Sequence, residues 1–107
     1  MKLKTFLSFL IILISQAFAY NLEKIEPPFW WAGFKSDELQ LMLYGENISQ
    51  LRPEIKDSGI KIEKVHKVES PNYLFLDLKL NNNVPQTFEI QLFYKDEKVL
   101  SRDYELK

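Results

Sequence analysis

From Tyr73 to Leu80 the sequence runs Tyr-Leu-Phe-Leu-Asp-Leu-Lys-Leu, with a leucine at every second position. In an extended chain successive side chains point to opposite faces. Leu74, Leu76, Leu78 and Leu80 therefore share one face, and Tyr73, Phe75, Asp77 and Lys79 share the other. A helix would scatter those leucines around its whole circumference, so the segment fits a half-buried strand and little else. The same alternation recurs at Leu39, Leu41 and Leu43 against Gln40, Met42 and Tyr44, and at Phe88, Ile90, Leu92 and Tyr94 against Glu89, Gln91 and Lys95. A chain built from such runs buries one face of each strand against another sheet.

Between these runs lie turn signals. Lys35-Ser36-Asp37-Glu38, Gly45-Glu46-Asn47, Asp57-Ser58-Gly59, Ser70-Pro71-Asn72 and Asn81-Asn82-Asn83-Val84-Pro85 are polar or carry Gly, Pro and Asn. Lys95-Asp96-Glu97-Lys98 turns the chain back into a hairpin partner over Val99–Leu106. Pro53 demotes Leu51–Ile55 to an edge strand or an irregular connection. In the run that opens with Ile60 and Ile62, the apolar positions slip to Val65 and Val68, which predicts a bulge or bend near Glu63-Lys64. Tyr20–Glu26 is a polar lead-in that becomes a short first strand or an extended arm, ending where Pro27 and Pro28 remove two backbone donors. Phe29–Phe34 continues extended, with Gly33 as a place for a bend. Together these segments predict an all-β protein, an immunoglobulin-like antiparallel β-sandwich of about seven strands, with a small barrel as the alternative.

The first nineteen residues have the layout of a cleavable signal peptide and stand apart from the fold. Lys2 and Lys4 precede an apolar run over Phe6–Ile14, and Ala17-Phe18-Ala19 is a small-x-small cleavage site. The expectation is export to the periplasm or the extracellular space and a mature domain over residues 20–107. The apolar run is too short to span a bilayer, so no membrane association is expected after cleavage.

That domain has 88 of the 107 residues, enough for one small core. There is no cysteine, so no disulfide supports it, and the aromatic content serves burial first. Setting Lys2 and Lys4 aside leaves 12 basic against 15 acidic side chains, a net charge of about −3. Charges of both signs alternate along the chain, which excludes a nucleic-acid footprint.

Catalytic chemistry has no visible carrier. A glycosidase needs two carboxylates across a cleft, one with a raised pKa. Glu63, Glu69, Asp77, Glu89 and Glu97 instead fall on polar strand faces or in turns, although Asp77 shares its face with Phe75. His66 is the only histidine and there is no cysteine, so a histidine-based zinc site is not expected; no calcium-binding loop is recognisable, and no cofactor is expected. Asn47-Ile48-Ser49 matches a glycosylation acceptor, a pattern common by chance. The residues worth arguing over are Phe29, Trp30, Trp31 and Tyr44. Alternation turns one indole of the Trp30-Trp31 pair inward and the other outward. The outward ring packs against a neighbouring domain or stacks on a sugar, and packing is the weightier reading.

The run Ile25-Glu26-Pro27-Pro28-Phe29-Trp30-Trp31-Ala32-Gly33-Phe34, followed by Leu39-Gln40-Leu41-Met42-Leu43-Tyr44-Gly45-Glu46-Asn47-Ile48, resembles the N-terminal domain of cyclomaltodextrinase and neopullulanase-type enzymes. These belong to the alpha-amylase family of glycoside hydrolases, and the similarity is to their exported, Bacteroidetes-like version. The resemblance implies an immunoglobulin-like sandwich that precedes a catalytic (β/α)₈ barrel acting on α-glucans or cyclodextrins, in enzymes that commonly form homodimers. Such a barrel takes on the order of 200 residues or more. None of the family's catalytic residues therefore maps onto this chain, and a non-catalytic module that packs on a barrel is the expected role. A free-standing exported adhesion or interaction domain is the alternative.

Overall fold

The computed structural model describes residues 20–31, 36–81 and 83–107. The expected leader sequence and cleavage site and the bend expected at Gly33 lie outside the described residues. Among the described residues eight strands form: β1 (Lys24–Glu26), β2 (Phe29–Trp30), β3 (Glu38–Tyr44), β4 (Arg52–Glu54), β5 (Ile60–Lys67), β6 (Tyr73–Leu80), β7 (Thr87–Tyr94) and β8 (Glu97–Leu106). They make two four-stranded sheets, ordered β1-β3-β6-β5 and β2-β8-β7-β4. All pairings are antiparallel except β2 on β8, which is parallel.

With β1 and β2 counted as two halves of one first strand, this is the immunoglobulin constant-type arrangement. The first, second, fifth and fourth strands face the seventh, sixth and third. Two separate sheets settle the choice between sandwich and barrel. The count of about seven becomes eight segments because the first strand divides between the sheets at Pro27-Pro28, and the Glu26–Pro27 peptide is cis.

The alternating leucines explain the core. Leu39, Leu41 and Leu43 of β3 and Leu74, Leu76, Leu78 and Leu80 of β6 face Phe88, Ile90 and Leu92 of β7 and Tyr104 and Leu106 of β8, all at most 8% exposed. Burying each such side chain is worth about 1.5–3 kcal/mol. Ile48 and Leu51 close one end, where a 3₁₀ turn over Ile48–Gln50 carries the chain from β3 to β4. That turn is held from outside: the Ser49 amide donates to the Pro71 carbonyl, and the Asn47 amide donates to the Asn72 side chain. Asn47 takes a left-handed φ of 58°, which asparagine tolerates.

Pro53 sits on the edge strand β4, opposite Leu92, as its missing donor requires. In β5 the register against β6 shifts between Ile62 and Lys64, where the slip of apolar positions predicts a bulge. Val65 and Val68 nevertheless remain 37% and 49% exposed, because they lie on and just past the edge strand of their sheet. A second register shift, between Leu92 and Phe93, leaves Val99 of β8 as the extra residue. Tyr94 keeps the alternation of β7 but is its last residue, beside the hairpin turn, where it is 41% exposed and its ring lies 5.6 Å from that of Tyr20. Gln91, expected on a solvated face, is only 8% exposed, in a strand flanked by β4 and β8.

Candidate functional site

Two surfaces carry side chains beyond what the core needs. The first lies where the chain changes sheets. Pro27 and Pro28 offer no amide hydrogens, so β1 cannot continue its ladder with β3, and the chain crosses to β8. The crossing is pinned by β8. Tyr104, 1% exposed, donates its hydroxyl to the Pro27 carbonyl at 2.9 Å, and Arg102 donates to the Leu22 carbonyl at 2.8 Å. Burial first, and the nearby Glu26 carboxylate second, push the Tyr104 hydroxyl up to about 12.

Once on β8, the chain pairs Phe29 with the exposed Glu105 and Trp30 with the buried Leu106. Phe29 therefore faces outward, Trp30 packs against the core, and Trp31 is again outward at 49% exposure. The rings form one cluster: Phe29 meets Trp31 edge-on at 5.4 Å between centroids, and Trp30 lies 5.5 Å from Trp31. Lys107 completes it. Its ammonium stands 4.2 Å over the Phe29 ring, and its backbone amide donates to the Trp30 carbonyl at 2.7 Å. Beside the cluster is a shallow depression of about 500 Å³, lined by Gln86, Thr87, Asp103, Glu105, Leu106 and Lys107.

The second surface is the outer face of the β1-β3-β6-β5 sheet. Three consecutive cross-strand pairs of β3 and β6 lie there: Tyr44 opposite Tyr73, Met42 opposite Phe75, and Gln40 opposite Asp77. The two tyrosine rings are 5.0 Å apart. Tyr44 thus belongs to this face and not to the Trp30–Trp31 cluster, which corrects the grouping suggested by proximity in sequence. β3 and β2 sit in different sheets, so Tyr44 lies on the other side of the sandwich.

Asp77 is held from both neighbouring strands. Gln40 Nε2 donates to Oδ1 at 2.8 Å, and His66 Nε2 lies 2.6 Å from Oδ2. The bond to His66 first and that from Gln40 second hold the Asp77 carboxyl below the usual carboxylate range. This cluster escapes a reading of the sequence, but its signal is there. Without the extra residue of the bulge, His66 would oppose Leu74 and point inward. The shift at Ile62/Lys64 places it opposite Phe75, on Asp77's face. A low Asp77 pKa is the reverse of what the acid member of a glycosidase pair needs.

Neither surface is enclosed like an active site. Both are open strips on the outer faces of a sandwich whose interior is filled with side chains. Residues 24–107, nearly the whole described domain, match the family model of the cyclomaltodextrinase N-terminal domain. That domain is a non-catalytic module, distinct from the part of a cyclomaltodextrinase that performs the chemistry. The match covers both strips and every strand, and the chain belongs to the cyclomaltodextrinase N-terminal domain family.

Proposed function

We infer that this chain is the non-catalytic sandwich module of an exported enzyme that degrades α-glucans or cyclodextrins, and that it docks on the enzyme's catalytic (β/α)₈ barrel through Phe29, Trp31 and Lys107. One observation carries the docking surface: the Lys107 amide donates to the Trp30 carbonyl at 2.7 Å. The end of β8 is thereby tied to the aromatic cluster, and any segment that follows Lys107 starts beside Phe29 and Trp31. Large outward aromatics next to a domain junction are suited to covering by the neighbour, since they bury much area at low entropic cost. Contact with a bound sugar through Trp31 is the lesser role of the same surface. Export is supported by the basic start, the apolar run and Ala17-Phe18-Ala19.

Amide hydrogen exchange tests the docking. Adding the separately purified barrel of the parent enzyme should slow exchange at residues 29–31 and 103–107 and leave β5 unchanged. Protection confined to another part of the sandwich would refute this surface. The sugar role is tested by tryptophan fluorescence with maltooligosaccharide or cyclodextrin: both tryptophans lie in this cluster, and no response at millimolar sugar removes the contact.

A further inference from the structure

We propose that the outer face of the β1-β3-β6-β5 sheet is a second, separate binding strip for a neutral oligosaccharide, an α-glucan segment laid along β6 from Tyr73 to Asp77. The choice of α-glucan rests on the proposed function above, whereas the position of the strip rests on the structure alone. The solvated face of an antiparallel sheet ordinarily carries polar side chains. This one instead presents Tyr44, Tyr73, Met42 and Phe75 in two successive cross-strand pairs, followed by Gln40 and Asp77 in the third. Rings thus give way to polar atoms along one line, with Tyr73 and Asp77 about 13 Å apart at the rise of an extended chain.

Sugars are recognised by that combination. The apolar face of a pyranose packs on an aromatic ring, while adjacent hydroxyls need a donor and an acceptor in fixed positions. Asp77 is fixed by Gln40 on one side and His66 on the other. Each of the three has capacity left: a carboxylate accepts several bonds, the Gln40 amide has a carbonyl and a second N–H, and His66 has its other ring nitrogen. Because the two partners hold Asp77 before any ligand arrives, little ordering remains to be done on binding. Next to the triad a shallow depression of about 350 Å³ is lined by Ser36, Glu38, Gln40, Glu63 and Asp77, whose oxygens are suited to accepting from hydroxyls, together with Leu39 and Leu78. The charges facing the strip are of both signs, with Lys64 opposite Asp77 and Glu38 opposite Lys79, which suits a neutral ligand better than an ionic one.

The test is a titration of the full chain, labelled with nitrogen-15, with maltoheptaose. The expected result is saturable amide shifts at Gln40, Tyr44, Tyr73, Phe75 and Asp77, with affinity at least about tenfold weaker in Tyr73→Ala and in Asp77→Asn, as for a ring or polar anchor removed from a contact. Trp31→Ala should leave these shifts unchanged, since its ring belongs to the other sheet. Dispersed spectra of each variant establish that it is folded, and the side-chain amide of Gln40 reports on the strip even where a variant is destabilised. Shifts confined to the tryptophan side chains would support the sugar role of the Trp31 surface and overturn this proposal. Absence of shifts would overturn it as well, without touching the docking surface. Shifts at the same residues that depend on protein concentration and not on sugar would show that a second copy of the chain covers the face, again against the proposal.

Discussion

The Tyr104 hydroxyl donates to the Pro27 carbonyl at 2.9 Å, joining the last strand to the point where the first strand changes sheets. The bond is part-buried and spans nearly the whole domain, so it fixes the position from which Phe29, Trp30 and Trp31 depart. Tyr104→Phe keeps the ring's packing against Phe88, 5.4 Å away, but leaves the carbonyl without this donor. A loss of about 1–2 kcal/mol is expected in urea denaturation. The same residue sets a limit at high pH. Its folded pKa of about 12 lies above the ordinary 10.0, so in that interval the unfolded chain releases a proton that the folded chain keeps. Tyr104 adds no pH dependence below pH 10 and lowers stability between pH 10 and 12, and Tyr104→Phe should remove that part of the alkaline decline.

Gly45 controls the other end of the lead-in. A Cβ there would come within 1.7 Å of the Asn21 carbonyl oxygen, a backbone atom with no freedom to step aside. The lead-in is also tied by the Glu23 amide to the Tyr44 carbonyl and by Arg102 to Leu22. Gly45→Ala should therefore displace residues 20–23, expose Leu22 and cost more than about 2 kcal/mol. Thermal melting gives the loss, and faster amide exchange at Glu23 locates it.

The two tryptophans should separate cleanly. Trp30 packs against the core, so Trp30→Ala opens a void and should cost about 2–4 kcal/mol. Trp31, half exposed on the outer surface, should cost less than about 1 kcal/mol when changed to alanine. Equilibrium unfolding of both variants checks the ranking, and acrylamide should quench the fluorescence of Trp30→Ala more strongly than that of Trp31→Ala.

Asp77 gives the domain an acid-sensitive element. Its folded pKa is lowered, mainly by His66 and then by Gln40, so the ionised carboxylate is favoured in the folded state. The resulting stabilisation is present above the ordinary value of 3.8 and is lost as pH falls through the lower folded value. The groups facing it are Gln40 of β3 and Lys64 and His66 of β5. Asp77→Asn should be less stable than the parent at neutral pH, and the difference should shrink below pH 3.8 in parallel chemical denaturations.

Much of this architecture is legible in the leucines. Period-two spacing in β3, β6 and β7 assigns the inner faces directly, because a half-buried strand has no other way to arrange them. The slip to Val65 marks the bulge in β5 for the same reason. The partition of the first strand between sheets is not visible, since Pro27 and Pro28 announce only that a ladder ends, not where the chain goes next. Tyr94 keeps its alternation yet is exposed because it is the last residue of β7, beside the hairpin turn, and no composition change marks where burial stops. At the candidate surfaces, alternation separates Trp30 from Trp31, but strand pairing decides everything else. Tyr44 meets Tyr73, and His66 meets Asp77, only once β3, β6 and β5 lie side by side.

The central claim is that the surface of Phe29, Trp31 and Lys107 is where this module meets its catalytic barrel. The most direct measurement is amide hydrogen exchange of the chain alone and with the purified barrel of the parent enzyme, repeated with Trp31→Ala. Slower exchange at residues 29–31 and 103–107, lost in Trp31→Ala while the variant stays folded, is the predicted result. Unchanged exchange at those residues with the barrel present, or protection that survives Trp31→Ala intact, would contradict it.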